Sequence, residues 1–252
     1  DLFSSNKYSA FIVNVDTGTI LYQKRAKITR YPASLTKMMT LYLVFDALKR
    51  REIVMNSKVL VSTRANRVPP GNLKVKNNTI ITINEAVNAL IVKSANNISY
   101  AIAERLSNNN VPNFIKRMND QAKKLGMYNT RFTNPHGLYD KKQVTTAQDM
   151  ALLAIALQHH HSKYYKMFAN KSFIFQGKRI YTHNNLLNRY IGTNGVKTGY
   201  IHASGYNLVT SVQRKEGNVL GVVMGGKSAR ARDKHMINLM NIAYRKIKNN
   251  HY

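Results

Sequence analysis

Apolar and polar residues alternate at both ends of the chain, which predicts β-strands there. Tyr8, Ala10 and Ile12 alternate toward Asn14, and a turn sequence at 16–18 precedes a second short stretch at 20–23. This pattern predicts an N-terminal hairpin. The second half of the chain carries the same kind of signal, and we expect strands at about 172–176, 178–182, 195–198, 206–213 and 219–224.

The middle of the chain has apolar residues at helical spacing, with recognisable helix starts. Thr82 and Glu85 form a capping-box pair that opens a helix through 92, and Thr146 with Asp149 opens another through 157. Pro112 fits the first turn of a helix that runs to about 124. Further helical patterns follow residue 34, cover 98–106 and close the chain at about 231–247.

Strands from both ends of the chain with helices between them predict an α+β fold. We expect both termini to build one antiparallel sheet flanked by helices, with a mainly helical lobe inserted. The sequence contains no linker, so we expect a single domain over 1–252, with an α/β lobe at about 1–60 and 190–252 and a helical lobe at about 61–189. The segment 57–78 has little periodicity and indicates short strands or irregular loop.

The chain is strongly basic, with 39 Lys and Arg against 11 Asp and Glu and a formal net charge of +28. Such a charge attracts polyanions, and a basic polyanion-binding module is one hypothesis for its function. The basic residues are scattered from Lys7 to Lys248, and the sequence contains no motif of a nucleic-acid-binding fold. We therefore expect no nucleic-acid partner and a generally cationic surface suited to anionic wall polymer or membrane lipid.

Several classes of chemistry are excluded by what the sequence lacks. Without Cys there is no disulfide, thiol nucleophile or Cys-based zinc site. The consecutive histidines at 159–161 point in different directions, so we expect a solvated helix terminus and no metal site. No dinucleotide or P-loop motif is present, and we expect no cofactor. No apolar run approaches the ~18–20 residues that span a bilayer. The N-terminus lacks the apolar core of a signal peptide, as in a cytosolic chain or one whose signal peptide has been removed.

Ser34 and Lys37 form the first candidate catalytic pair, because residues i and i+3 share one face of a helix. A serine hydroxyl needs a base within reach, and an unprotonated lysine one turn away can supply it. Such a lysine must be desolvated or lie near another positive charge, which lowers its pKa. The free N–H groups at the helix start can bind a developing oxyanion. Ser4 and Lys7 have the same spacing but no apolar helix behind them.

Two further motifs strengthen the case for this pair. Ser94 and Asn96 offer a hydroxyl and an amide at the break between two helices. Lys197, Thr198 and Gly199 lie on a predicted strand. The glycine permits close approach of a substrate backbone, the lysine adds charge and the threonine can bind a carboxylate. Chance does not readily produce all three motifs in this order and on these elements.

In this combination the chain resembles the penicillin-recognising serine enzymes, and among them the low-molecular-mass D-alanyl-D-alanine carboxypeptidases. The resemblance runs from about Tyr8 to Arg245. It rests on Tyr-Pro-Ala-Ser-Leu-Thr-Lys-Met-Met-Thr at 31–40, Asn-Pro-His-Gly-Leu at 134–138, Asp-Met-Ala-Leu-Leu at 149–153, Lys-Thr-Gly-Tyr at 197–200, Ser-Gly-Tyr at 204–206 and Gly-Gly-Lys-Ser at 225–228. It implies a β-lactamase/transpeptidase-like fold, a periplasmic or extracytoplasmic location, and peptidoglycan stem peptides and β-lactam antibiotics as partners.

The resemblance also implies a role for each matching residue. Ser34 attacks the D-Ala–D-Ala carbonyl and becomes acylated, Lys37 accepts its proton, and Ser94 relays a proton toward the leaving D-alanine. Asn96 holds the peptide on the acyl side, and Lys197 tunes Lys37 electrostatically. The implied substrate-binding residues are Thr198, Gly199, Tyr200 and Arg232, with the backbone N–H groups of Ser34 and Tyr200 as the oxyanion hole.

Arg232 is the implied carboxylate-binding arginine, and Arg230 competes with it for that role. His136 and Asp149 match family positions and are expected to be structural supports, Asp149 as part of a helix cap. Many members carry a C-terminal β domain and a membrane anchor, and we expect neither within this sequence, as in a truncated chain or a one-domain relative. The resemblance implies a carboxypeptidase, with a DD-endopeptidase as the alternative. A class A β-lactamase would need a Glu-x-x-Leu-Asn segment between the second and third motifs, which this chain lacks.

Overall fold

One five-stranded antiparallel sheet organises the computed structural model, which describes residues 5–249. The strands are β1 (Ser9–Asn14), β2 (Ile20–Lys24), β3 (Lys58–Val61), β4 (Thr79–Thr82), β5 (Ser172–Phe175), β6 (Lys178–Tyr181), β7 (Thr193–Ile201), β8 (Gly205–Arg214) and β9 (Gly217–Gly226). The main sheet has the order β2-β1-β9-β8-β7, while β3 pairs with β4 and β5 pairs with β6. Strands from both ends of the chain thus build one sheet, as predicted.

Helices cover this sheet and fill the sequence between its two halves. They are α1 (Lys37–Lys49), α2 (Thr63–Asn66), α3 (Ile83–Asn88), α4 (Asn96–Leu106), α5 (Val111–Lys124), α6 (Ala147–His160), α7 (Ser162–Tyr165), α8 (Leu186–Arg189) and α9 (Ala229–Asn249). Short 3-10 turns cover Ala33–Thr36 and Lys166–Ala169, and a π-helical turn covers Ala89–Lys93. Within residues 5–249, no helix is both long enough and apolar enough to span a bilayer.

Two hydrophobic cores lie on opposite faces of the sheet, because successive side chains of a strand point to opposite sides. On β1, Phe11 and Val13 join a core that also contains buried residues of α1, α4 and α6. Ala10 and Ile12 face the other way and pack in a second core with Met236 of α9. α6 contacts β9 and β1 although it belongs to the segment assigned from sequence to the helical lobe. The division into two lobes stays a prediction.

The predicted helix start at Thr82 is a complete capping box. Thr82 Oγ1 accepts a hydrogen bond from Glu85 N at 3.1 Å, and Glu85 Oε2 accepts one from Thr82 N at 2.8 Å. The helical segment that follows ends differently from expectation, because its last turn, Ala89–Lys93, is π-helical. Ser94 then adopts a left-handed conformation with φ +58°. This residue ends the helical segment and separates it from α4.

Hydrogen bonds from neighbouring helices hold the segment 57–78, whose sequence has little periodicity. Ser62 Oγ accepts from Ala65 N at 3.0 Å as the cap of α2, and it donates to Glu104 Oε2 at 2.7 Å. Asn97, fully buried at the start of α4, accepts from Leu73 N at 2.9 Å and donates to Leu73 O at 2.8 Å. Contacts to distant residues therefore give this segment a defined shape.

Candidate active site

Ser34 lies inside the 3-10 turn Ala33–Thr36, directly before α1 begins at Lys37. The carbonyl oxygen of Pro32 accepts a hydrogen bond from Leu35 N at 3.1 Å, which closes this turn. The sequence predicts a helix start here, and the structure has the tighter 3-10 geometry that often precedes an α-helix. Ser34 Oγ and Lys37 Nζ are 2.9 Å apart.

Lys37 is fully buried, and three oxygen atoms surround its amine. Besides Ser34 Oγ, Nζ lies 2.7 Å from Asn96 Oδ1 and 2.7 Å from the carbonyl oxygen of His136. Burial, and after it the charge of Lys197, holds the pKa of Lys37 well below its ordinary value. Since the amide and carbonyl oxygens can only accept, they take both hydrogens of a neutral amine. Its lone pair is then left for Ser34.

Asn96 orients Lys37 because both ends of its side-chain amide are engaged. Nδ2 donates to the carbonyl oxygen of Pro70 at 2.9 Å, which leaves Oδ1 directed at Lys37 Nζ. The backbone N–H of Asn96 donates to the Gly71 carbonyl at 3.0 Å. A Cβ on Gly71 would lie 2.9 Å from Asn96 Nδ2, and the φ of Gly71 is +104°. The irregular part of 57–78 therefore borders the site and helps to position Lys37.

Ser94 contacts Lys197, the lysine of β7. Lys197 Nζ donates to Ser94 Oγ at 3.0 Å and to the carbonyl oxygen of Thr198 at 2.8 Å. Burial, and after it the charge of Arg232, lowers the pKa of Lys197 to about 7. The sequence suggests only an electrostatic effect of Lys197 on Lys37. In the structure, the charge of Lys197 contributes to the lowered pKa of Lys37, and Lys197 also donates a hydrogen bond to Ser94.

β7 passes close to the serine turn at Gly199. A Cβ on this glycine would lie 2.9 Å from Ser34 N and 3.1 Å from Leu35 N, so a larger residue would force the strand and the turn apart. Thr198, Gly199 and the half-exposed Tyr200 line an open cleft of about 350 Å³ together with the three catalytic candidates Ser34, Ser94 and Asn96. Among the described residues, no Asp or Glu lines this cleft.

Arg232, and not Arg230, reaches the cleft. Arg230 is exposed on the first turn of α9, whereas Arg232 is buried and lines the cleft. Arg232 Nε and Nη2 donate to Asp233 Oδ1 at 3.0 and 2.7 Å, and Nη1 donates to the carbonyl oxygen of Asn207 at 3.2 Å. These bonds use three of the five guanidinium N–H groups, which leaves two for a ligand in the cleft.

His136 supports the site mainly through its backbone. Its carbonyl oxygen accepts from Lys37, and its ring Nδ1 accepts from Leu138 N at 3.2 Å. Burial, and after it the charge of Lys37, lowers the pKa of His136 to about 3. The ring is therefore neutral at pH 7. The neutral ring therefore adds no positive charge beside the amine of Lys37.

Asp149 lies on α6 and does not line the cleft. Its backbone N–H donates to Thr146 Oγ1 at 3.0 Å, so the predicted helix cap is present. Its carboxylate has a further function, because Oδ2 accepts from Asn129 N at 3.0 Å and from Thr130 Oγ1 at 2.7 Å. Burial raises the pKa of Asp149. The residue ties α6 to the loop at 129–130, a contact that the sequence did not reveal.

The histidines at 159–161 are not one solvated terminus. His159 and His160 are exposed, and His160 Nδ1 lies 2.8 Å from the Tyr42 hydroxyl. His161 is buried with its ring edge-on to Tyr42, the centroids being 4.5 Å apart. The expectation of a solvated terminus is therefore wrong for His161. Across residues 5–249, no group of three or more His, Cys, Asp or Glu side chains is arranged to hold a metal ion.

Asn207 is a residue of the site that sequence reasoning missed. It is fully buried on β8, and its Nδ2 donates to the carbonyl oxygens of Tyr31 at 3.0 Å and Pro32 at 3.2 Å. Its Oδ1 accepts from Gly225 N at 3.1 Å, and its own carbonyl accepts from Arg232. One residue thus connects the serine turn, β9 and the arginine of the cleft. The only signal in the sequence is an amide in a mostly apolar strand.

Comparison with known proteins decides the family. Residues 4–228 match the family profile described as D-alanyl-D-alanine carboxypeptidase, peptidase family S11. The chain belongs to the D-alanyl-D-alanine carboxypeptidase family. It is 34% identical over 227 residues to the D-alanyl-D-alanine carboxypeptidase DacA of Haemophilus influenzae, an alignment that covers 88% of this chain and 58% of that protein.

Solved structures of similar proteins confirm the predicted fold class. Penicillin-binding protein 5 from Haemophilus influenzae superposes on this family member with a TM-score of 0.88 at 33% identity, covering 92% of this chain and 69% of that one. Penicillin-binding protein D2 from Listeria monocytogenes, in its cefotaxime-bound form, gives a TM-score of 0.84 at 28% identity, covering 94% and 96%. The chain spans about three-fifths of the length of curated relatives such as DacA.

Proposed function

We propose that this chain acts as a serine-type D-Ala-D-Ala carboxypeptidase that removes the terminal D-alanine from peptidoglycan pentapeptides. One observation carries the proposal: the amine of Lys37 is buried, lies 2.9 Å from Ser34 Oγ and has acceptors for both of its hydrogens. A serine beside a neutral, oriented base can act as a nucleophile. Membership of the family supports the assignment of peptide hydrolysis.

In the acylation step, Lys37 Nζ takes the proton of Ser34 Oγ as that oxygen attacks the carbonyl carbon between the two D-alanines. The resulting oxyanion accepts hydrogen bonds from the backbone N–H groups of Ser34 and Tyr200. The close approach of β7 to the serine turn at Gly199 brings these two segments together. When the intermediate collapses, the C–N bond breaks and an ester to Ser34 remains.

The leaving D-alanine needs a proton on its nitrogen, and Ser94 delivers it. Ser94 Oγ accepts from Lys197 Nζ at 3.0 Å, so its own hydroxyl hydrogen can point elsewhere. A pKa of about 7 allows Lys197 to exchange protons at neutral pH. The proton that Lys37 took from Ser34 replaces the one that Ser94 gives to the leaving amine, so Lys37 is neutral again. Water then attacks the ester while Lys37 accepts a proton from it, and Lys37 returns that proton to Ser34 Oγ as the ester breaks and the shortened peptide leaves.

The substrate lies along β7, with its terminal carboxylate at Thr198 and Arg232. The cleft suits a negatively charged peptide end, because Lys93 and Arg232 line it and no Asp or Glu does among the described residues. Asn96 holds Lys37 through Oδ1, and its Nδ2 retains a second hydrogen that can donate to the peptide on the acyl side. A DD-endopeptidase, the alternative function, would use the same catalytic residues to cleave the peptide bond of a peptidoglycan cross-link.

β-Lactams imitate the scissile bond, so we propose that they acylate Ser34. The cefotaxime-bound relative from Listeria supports this proposal. Peptidoglycan lies outside the cytoplasmic membrane, and we propose an extracytoplasmic location for the protein, with a signal peptide removed during export. The net charge of +28 suits contact with anionic wall polymer or lipid.

The test is intact-mass spectrometry after incubation with a penicillin. We expect one adduct on the parent protein, none on Ser34→Ala, and an undiminished adduct on Ser4→Ala, whose Ser-x-x-Lys spacing is the same. Circular dichroism confirms that each variant is folded. Labelling that persists in Ser34→Ala contradicts the proposal.

Product analysis then separates the two peptidase activities. Free D-alanine released from a pentapeptide indicates a carboxypeptidase, whereas cleavage of a cross-linked dimer without that release indicates an endopeptidase. Because both reactions pass through the same acyl-enzyme, the adduct measurement remains valid for either outcome.

A further inference from the structure

A second basic groove lies at the end of α1 that is remote from Lys37. It is lined by the end of α1, the loop at 51–55 and the residues that follow α6, and its volume is about 940 Å³. From Lys37 to Lys49 the helix extends about 18 Å, at 1.5 Å per residue. The groove is thus separate from the catalytic cleft, and none of the residues lining one lines the other.

Three exposed cations line this groove, namely Lys49, Arg51 and Lys163. None of them forms an ion pair with a described carboxylate, because the nearby acids Asp46 and Glu52 are both paired with Arg50. Lys49 Nζ makes one long hydrogen bond, 3.3 Å, to the carbonyl oxygen of His160. Lys49, Arg50, Arg51 and Lys163 against Asp46 and Glu52 leave this end of α1 with a net charge of +2 among the described residues.

The groove also has an apolar side. Ile53, Val54, Met55, Tyr164 and Met167 line it next to the cations. Val54 is the exposed one of them, with 59% of its surface accessible. A cationic rim beside an exposed valine and partly buried apolar side chains is complementary to an amphiphile with an anionic head.

The loop that carries Val54 is held rigidly. Val54 N donates to Ser57 Oγ at 2.9 Å, and Ser57 N donates back to the Val54 carbonyl at 2.9 Å. The Met55 carbonyl accepts from Asn84 N at 2.9 Å, which ties the loop to α3. The exposure of Val54 is thus a fixed feature of the fold, so inserting it into a lipid surface requires no ordering of the loop.

We infer that this groove docks the protein on a membrane surface by binding the headgroup of an anionic phospholipid. Lys49, Arg51 and Lys163 contact the phosphate oxygens, and Val54 enters the interface beside them. Charge complementarity selects this occupant, since each basic residue at an anionic membrane strengthens binding severalfold. The inference does not depend on the peptidase reaction proposed above.

Fluorescence of an introduced tryptophan tests the orientation, because the chain contains no Trp of its own. Vesicles of phosphatidylcholine with phosphatidylglycerol should shift the emission of Val54→Trp to shorter wavelength, and pure phosphatidylcholine vesicles should not. Ile191→Trp is the matched control, since Ile191 is 86% exposed and lies outside the groove. An equal shift in both variants, or none in Val54→Trp, overturns the inference.

Vesicle sedimentation tests the cations. Replacing Lys49, Arg51 and Lys163 together by Ala should weaken binding to anionic vesicles about 100-fold. The control replaces Lys27, Lys141 and Lys234, which are exposed and outside the groove, and loses the same net charge. It should retain most of its binding, because charges more than about 8 Å from the lipid are screened at physiological salt.

Two outcomes of this assay overturn the inference. Equal losses in the two triple variants would show diffuse attraction by the whole surface. Binding of inorganic phosphate to the groove without any vesicle-induced shift of Val54→Trp would show a site for free phosphate. Penicillin acylation should be unchanged in every variant, which separates a failure of docking from a failure of folding or of the proposed reaction.

Discussion

Replacing Asn96 by Asp tests whether Lys37 acts as a neutral base. The two side chains have nearly the same shape, so the substitution places a carboxylate oxygen where Oδ1 now lies, 2.7 Å from Lys37 Nζ. A negative charge at this distance favours the protonated lysine and raises the pKa of Lys37. Because only the neutral amine can accept the proton of Ser34, acylation at a fixed pH becomes slower.

The size of this effect follows from the distance. At an effective permittivity of about 20, unit charges 2.7 Å apart attract by about 6 kcal/mol. This is an upper bound, because the new carboxylate loses hydration in the same buried site. Opposite charges this close usually shift a pKa by about 1–3 units. We therefore expect acylation near neutral pH to slow by up to about 1000-fold, since the neutral fraction falls about tenfold for each unit by which the raised pKa exceeds the assay pH.

The measurement is the second-order rate of acylation by a fluorescent penicillin as a function of pH. For the parent protein the rate rises as Lys37 loses its proton, and in Asn96→Asp this rise moves to higher pH. Asn96→Ala is the control, because it removes the same hydrogen bond and substrate contact without adding charge. Its rate should fall with no upward shift of the midpoint. Coinciding midpoints for the two variants would refute the neutral-base argument.

Three further substitutions test neighbouring contacts. Gly199→Ala puts a Cβ 2.9 Å from the backbone nitrogen of Ser34. Overpacking of this kind destabilises a protein by about 1–3 kcal/mol, so the substitution should lower both the calorimetric Tm and the acylation rate. An unchanged Tm and rate would contradict the close approach of β7 to the serine turn. Arg232→Ala should raise KM for the pentapeptide. It should also lower the free energy of unfolding by about 3–5 kcal/mol, because Asp233 would keep a buried charge without its partner. Arg230→Ala should change neither quantity. Thr82→Ala removes the cap of α3 and should lower the free energy of unfolding in urea by about 1 kcal/mol. The acylation rate should stay unchanged. A loss of acylation would mean that this cap also shapes the cleft.

Features that depend on neighbours in sequence could be predicted. The alternation at 8–14 and the capping box at 82–85 specify their elements locally, and both are present in the structure. Ser34 and Lys37 likewise face each other because they are one helical turn apart. Each of the three short motifs is likewise local in sequence, and their combination identified the cleft.

Features that depend on distant contacts could not be predicted. Asn207 holds the serine turn through carbonyl groups 175 and 176 residues away in sequence. The resemblance favours Arg232 over Arg230, but the sequence pattern alone leaves both open. The two residues lie about 200° apart around the axis of α9, so the packing of this helix on the sheet decides which of them meets the cleft.

The left-handed backbone at Ser94 puts activity and stability in opposition. A non-glycine residue with φ near +58° carries a conformational cost of the order of 1 kcal/mol, which glycine would not carry. Ser94→Gly would therefore relieve strain while deleting the hydroxyl that contacts Lys197. Ser94→Gly should therefore raise the calorimetric Tm while it lowers turnover. Efforts to engineer a more robust enzyme should leave this position unchanged and seek stability elsewhere.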